Sequence, residues 1–163
     1  MEDVSDPPFR ALCKEKGADL VYTEFISSEG LIRDASKSIK KLDIYKNERP
    51  VGIQIFGSNL DSMLKAVDIV EKTSPDIIDI NFGCPVKKVV NGYAGSALMK
   101  DEILATKILE SVSNSVKVPV TLKMRKGWDD NSLNAPKIAK IAENSGIKMI
   151  TIHGRTRCQM YKG

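Results

Sequence analysis

Ile77-Ile78-Asp79-Ile80-Asn81-Phe82-Gly83-Cys84-Pro85 is the stretch whose reading decides the fold. Its first half is a short run of branched apolar residues opening just after Pro75, the pattern of a buried strand. Gly83 and Pro85 break the run, so the backbone turns sharply where the strand ends. Cys84 sits in that turn, with Asn81 three residues earlier. A thiol at the carboxyl end of a parallel strand stands where α/β enzymes keep their chemistry. A cysteine in a tight loop is otherwise an ordinary buried residue, so the other strand ends decide between the two.

Upstream, Pro50 precedes a second strand over 51–57, closed by Gly57. A helix from about 59 to 73 follows, with Leu60, Met63, Leu64, Val67 and Val70 on one apolar stripe. Asp61 with Lys65 and Asp68 with Lys72 are i,i+4 pairs on its wet side. Residues 20–22 read as an earlier strand ending in Thr23-Glu24. Before it lies a helix capped by Asp6, with Pro7 in the first turn, Phe9, Leu12 and Cys13 on its apolar face, and Gly17 at its end. One or two short helices fill 27–45, with Lys37, Lys40 and Lys41 on a solvated face.

Downstream, 82–97 shows no periodicity and holds Gly83, Gly92 and Gly95, a long loop of the kind that is usually functional. Asp101 caps a helix carrying Leu104, Ala105, Ile108, Leu109 and Val112. A strand over 118–123 follows, with Arg125 and Trp128 beyond its end. Asn134 and Pro136 open another helix, and 148–153 is the last strand. The strand–loop–helix unit recurs about every 30 residues, the size of one βα step.

Strands alternating with helices predict a parallel sheet. Polar residues stand at or near every strand end: Glu24, Gln54, Asn81, Lys123 and His153. In an open doubly wound sheet the ligand gathers at one switch point, whereas polar groups at all strand ends suit a closed β/α barrel with one common mouth. Gln54 and Asn81 offer the paired donors and acceptors that recognise an amide-bearing ring. Lys123 places a cation where a ring could develop negative charge. Cys84 carries a thiol that is protonated at neutral pH in its ordinary state, an acid more readily than a nucleophile.

Composition bounds these readings. The 163 residues suffice for one domain with a core, and 28 % charged and 42 % hydrophobic residues are those of an ordinary soluble protein. No apolar run approaches a membrane span and no signal peptide is visible. Cys13, Cys84 and Cys158 lie far apart with no CxxC pair, so neither a metal site nor a disulfide framework is expected, and a reducing, cytoplasmic location is. The net charge of +4 permits an RNA partner.

With these residues in view, the chain resembles the tRNA-dihydrouridine synthases, nearest their bacterial B-type branch. Residues 81–85 with Asn91-Gly92-Tyr93-Ala94-Gly95 are similar to the family's active-site loop, residues 1–10 to its opening motif, Gln54-Ile55-Phe56-Gly57 to its second turn, and Ile152-His153-Gly154-Arg155-Thr156-Arg157 to the turn after its sixth strand. The resemblance implies an FMN-binding (β/α)8 TIM-type barrel, here a partial one holding about strands two to six, without the family's helical C-terminal domain. It implies reduction of a uridine in tRNA to 5,6-dihydrouridine with NADPH as reductant. By position, Met1, Gln54, Lys123 and His153 would contact the flavin, Asn81 and Arg125 would hold the uracil, and Cys84 would donate the proton. No metal and no membrane are expected as partners. The missing strands lead us to expect a chain truncated at both ends, with self-association a possible fate of its open edges. Two alternatives remain open at this point: a related FMN barrel acting on a free pyrimidine, and an inactive, flavin-free fragment.

Overall fold

The structure, a computed structural model, describes Val4–Lys162. Its centre is four strands that pair in chain order, all parallel: β3 (Val51–Phe56), β4 (Ile77–Phe82), β5 (Val120–Arg125) and β6 (Met149–His153). Two two-residue strands share the remaining side of β3. β1 (Val21–Tyr22) lies beside its start and β2 (Ile26–Ser27) beside its end. Parallel neighbours need a crossover, and α4 (Leu60–Glu71), α6 (Glu102–Ser115) and α7 (Ala135–Asn144) supply the three between β3 and β6. The sheet curls into part of a TIM-type barrel with β1 and β6 at its edges.

Register sorts the two faces. Residues paired across parallel strands share a face, and neighbours in sequence alternate. Ile53, Ile55, Ile78, Ile80, Phe82, Leu122 and Met124 form the outer row and are almost wholly buried. They pack in one core with Met63, Ala66, Val67 and Val70 of α4, Ala105, Ile108, Leu109 and Val112 of α6, and Ile138 and Ala142 of α7. Each of the Val, Ile, Leu, Phe and Met side chains among them stabilises the fold by about 1.5–3 kcal/mol relative to exposure. The opposite parity turns Gln54, Asp79 and Thr121 into one inner row and Asn81, Lys123 and Thr151 into the next.

The first helix departs from its sequence reading. α1 (Pro7–Glu15) is capped as expected, with the Asp6 carboxylate accepting from the Phe9 N–H at 3.1 Å. Yet it buries Arg10 and Ala11, leaves Phe9 and Leu12 exposed, and holds Cys13 only half-buried. The Arg10 guanidinium faces inward because its partners are there. Its Nε and Nη2 donate to the Glu48 carboxylate at 2.7 and 3.0 Å, and it also donates to the carbonyls of Ser5 and Asp43. The aperiodic stretch 82–97 also proves more ordered than expected, with α5 (Lys87–Asn91) and a 3-10 turn over Gly95–Lys100. The short helices of 27–45 are α2 (Ser28–Ile32) and α3 (Ser36–Lys40), with β2 an addition the sequence did not suggest. β5 extends to Arg125, which is therefore part of the strand and not beyond it.

Candidate functional site

The inner face carries a chain of hydrogen bonds whose direction is fixed at one end by the backbone. After β4 the chain folds back so that the N–H groups of Gly83 and Cys84 both donate to Asn81 Oδ1, at 2.9 and 2.8 Å. A backbone N–H can only donate, so the carboxamide oxygen of Asn81 must face the turn. Its Nδ2 then donates to Gln54 Oε1 at 2.8 Å, and Gln54 Nε2 donates to Asp79 Oδ2 at 2.5 Å. The Thr121 hydroxyl donates to the other Asp79 oxygen. Among the described residues, Gln54 and Asn81 each keep one amide N–H without a partner.

Cys84 is clamped from both sides. Its N–H is held by Asn81, and its carbonyl accepts from the N–H and hydroxyl of Ser96 at 3.0 and 2.8 Å. Gly95 makes this approach possible. Its φ is +59°, and a Cβ there would lie 2.8 Å from the Cys84 carbonyl oxygen. Cys84 is only 6 % exposed. Arg125 braces the same turn, its Nε donating to the Gly83 carbonyl at 2.7 Å and its Nη1 to that of Thr156 at 3.1 Å. The guanidinium also interacts electrostatically with Cys84.

The cations of this face shape its electrostatics. Lys123 is half-buried with no hydrogen bond among the described residues, and burial, then Arg125, push its pKa down against the pull of Asp79. Burial pushes the Asp79 carboxyl up, opposed by its bonds to Thr121 and Gln54 and by the charge of Lys123. His153, beside Arg125 in the register, is held below its ordinary value by burial and by Arg125, Lys123 and Arg155. Its Nδ1 accepts from the Arg155 N–H at 3.2 Å, so the neutral ring carries its proton on Nε2 and can donate there. At the start of the strands Tyr22 closes the face, its ring so near Gly52 that a Cβ there would lie 2.4 Å from it.

The structure therefore places Gln54, Asn81, Lys123, Arg125 and His153 on the inner face, with Cys84 on the turn that Asn81 and Arg125 hold. Glu24 lies apart, accepting from the Val4 N–H and paired with Lys41 at 3.2 Å. Met1 falls outside the described residues. Sequence reasoning missed Asp79, Thr121 and Ser96. Asp79 alone carried a signal: an acid two residues before Asn81 inside an otherwise apolar strand shares its parity. Among the described residues no cluster of three or more His, Cys, Asp or Glu is placed to hold a metal, and no helix is long and apolar enough to cross a membrane.

The family model for dihydrouridine synthase (Dus) matches residues 1–163. A probable tRNA-dihydrouridine synthase of Rickettsia prowazekii is 52 % identical over all of this chain and 50 % of its own length. One from Rhizobium leguminosarum is 49 % identical over all of the chain and 51 % of its own. The tRNA-dihydrouridine synthase B of Xanthomonas campestris is 44 % identical, again over all of this chain and 49 % of the relative. The chain spans about half the length of these curated relatives, and it belongs to the dihydrouridine synthase family.

Proposed function

We propose that this chain supplies the reacting half of a flavin-dependent reductase that converts a uridine of tRNA to 5,6-dihydrouridine. The observation that carries the reading is the placement of Cys84: a thiol on a turn fixed at both its N–H and its carbonyl, next to an inner face of cations and amides, in a chain of this family. The inner face suits FMN. An isoalloxazine edge is rich in acceptors and gains negative charge on reduction, and the face offers the spare N–H of Gln54, the Nε2–H of His153 and a Lys123 ammonium with no hydrogen-bond partner among the described residues. When bound, FMN recharged by NADPH would supply the hydride that saturates carbon 6 of the uracil.

The chain's own residues then have separate tasks. Gln54 and His153 donate to the ring edge and set its position. Lys123 balances negative charge, a role in which a half-buried cation acts more strongly than one in water. The free Nη2 edge of Arg125 and the last N–H of Asn81 hold the uracil carbonyls. Asn81 has little else to give, since its oxygen and its other N–H hold the turn and Gln54. Cys84 donates its proton to carbon 5, and the negative charge left on the thiolate faces Arg125. Met1 would be a backbone contact to the flavin. Basic and aromatic groups near the turn suit an RNA partner. Lys100 and Arg157 flank the ring of Trp128 at 4.6 and 5.0 Å, and Tyr93 is 70 % exposed beside them.

The test joins the chain to the part of the Rickettsia prowazekii relative that lies outside the matched span, and supplies FMN, NADPH and unmodified tRNA. Mass spectrometry of the digested tRNA should show uridine that has gained two hydrogens. Reduction of free uracil or uridine without reduction of tRNA would move the assignment to the free-pyrimidine alternative. Absence of both would overturn the reading.

A further inference from the structure

We propose that Asp79 is a positioning residue: together with Asn81 it holds the side-chain amide of Gln54 in one of its two orientations, and so fixes on which side Gln54 offers its donor to a bound ring. The inference rests on the reading that Gln54 meets the flavin edge. A glutamine amide packs almost equally well in two orientations half a turn apart, and only its hydrogen-bond partners choose between them. Here both partners make the same choice. On one side the Gly83 and Cys84 N–H groups force Asn81 to present a donor, so Gln54 must answer with its oxygen. On the other side Asp79 accepts from the Gln54 nitrogen with one oxygen, while its other oxygen is already taken by the Thr121 hydroxyl. An acceptor at position 79 thus agrees with the turn that carries Cys84, and the reacting thiol and the ring-binding amide share one oriented series of bonds.

The fold does not ask for an acid at this place. Asp79 is 4 % exposed in the middle of a buried strand, where an ionised carboxyl is costly. Its burial also pushes the carboxyl up, away from the charged form. A group kept at a cost to stability is commonly kept for what it does. Asp79 touches neither flavin nor uracil in this scheme. It acts through Gln54, and an isosteric acceptor should replace it.

The test compares the chain, Asp79→Asn and Asp79→Leu by nuclear magnetic resonance of the side-chain amides, and the same three versions of the joined protein by FMN titration. In the chain and in Asp79→Asn, the two Gln54 amide protons should resonate far apart and exchange slowly with water. FMN affinity should agree within about threefold, because the new carboxamide oxygen still accepts from Gln54. In Asp79→Leu the Gln54 amide keeps only the bond it accepts from Asn81, so its two protons should move to free-glutamine positions and exchange faster with water, with FMN affinity at least about tenfold weaker, the ratio for one lost bond of this kind. If the leucine variant does not fold, Asp79→Thr takes its place, as a strand-favouring residue too short to reach Gln54. Unchanged Gln54 resonances in the leucine or threonine variant would overturn the proposal. So would free-glutamine positions in the unaltered chain, or an asparagine variant that behaves like leucine. If none of the joined proteins binds FMN, the flavin reading has failed, while the amide resonances still decide the role of Asp79.

Discussion

Reversing the direction of the inner hydrogen-bond series gives a quantitative test of it. Asn81→Asp keeps the shape of the side chain and still accepts from the Gly83 and Cys84 N–H groups. Its second oxygen, however, now faces Gln54 Oε1, where Asn81 Nδ2 had donated at 2.8 Å. Gln54 can turn over to donate to the new carboxylate at position 81, but its oxygen then faces the Asp79 carboxylate. One contact must therefore lie acceptor to acceptor, in either orientation. A buried group left unpaired costs about 1–3 kcal/mol, and a second carboxylate beside Asp79 raises the loss toward the roughly 3–5 kcal/mol of an uncompensated buried charge. Asp79→Asn repairs this conflict. The carboxamide it introduces would donate from its nitrogen to the turned Gln54 and accept from Thr121 with its oxygen, so both bonds of Gln54 would exist again in reverse while those of the turn and of Thr121 keep their direction. The double variant should recover about 1–3 kcal/mol more than the two single changes add up to, the coupling expected of residues in one network. The assay is urea unfolding followed by circular dichroism at neutral pH. Additivity of the two changes within about 0.5 kcal/mol would refute the reasoning.

Other expected outcomes follow from single contacts. Asp79→Asn alone should leave the fold at neutral pH as stable as before or more so. The folded carboxyl is shifted upward, so its contribution is present below the unfolded value of 3.8 and is lost as pH rises through the folded one; the advantage of the variant should vanish in acid unfolding titrations. Glu48→Leu strands the buried Arg10 guanidinium and should cost about 3–5 kcal/mol by urea unfolding, most of it recovered in Arg10→Met/Glu48→Leu. Gly95→Ala places a Cβ 2.8 Å from the Cys84 carbonyl at φ +59°; it should lower stability by more than about 1 kcal/mol and shift the Cys84 amide resonance. In the joined protein, Cys84→Ala should still bind FMN and allow its reduction by NADPH, while oxidation of the reduced flavin by tRNA falls about 10²–10⁴-fold in single-turnover measurements. Lys123→Met should slow flavin reduction in stopped flow yet leave the fold intact, because the ammonium has no hydrogen bond to lose among the described residues.

The central strands and crossover helices were legible because each depends on periodicity within one segment. The apolar run after Pro75 and the stripe from Leu60 to Val70 point to burial without reference to any distant residue. α1 misled for the opposite reason. Arg10 is buried by Glu48, 38 positions away, and no local pattern announces that pair. The candidate site residues were legible as polar side chains at strand ends, but their connection was not. That Asn81 accepts two backbone donors and so orients Gln54 depends on a turn whose path only the three-dimensional structure gives. Asp79 was passed over because a single acid inside an apolar strand reads as an interruption until its parity with Asn81 is matched to the register of β3 and β5.

The sheet's strand order has a consequence for how the chain leaves the ribosome. From β3 to β6 every strand adds beside the one synthesised just before it, so the sheet can be assembled vectorially, one βα step at a time, with no segment waiting for a distant partner. The growing edge is always the most recent strand. When β6 has emerged, that edge displays Met149 and Ile152, 42 % and 49 % exposed, together with a row of backbone groups that pair with no strand among the described residues. Such an edge is adhesive, and the interval before something covers it is when a nascent chain of this order would most need a chaperone.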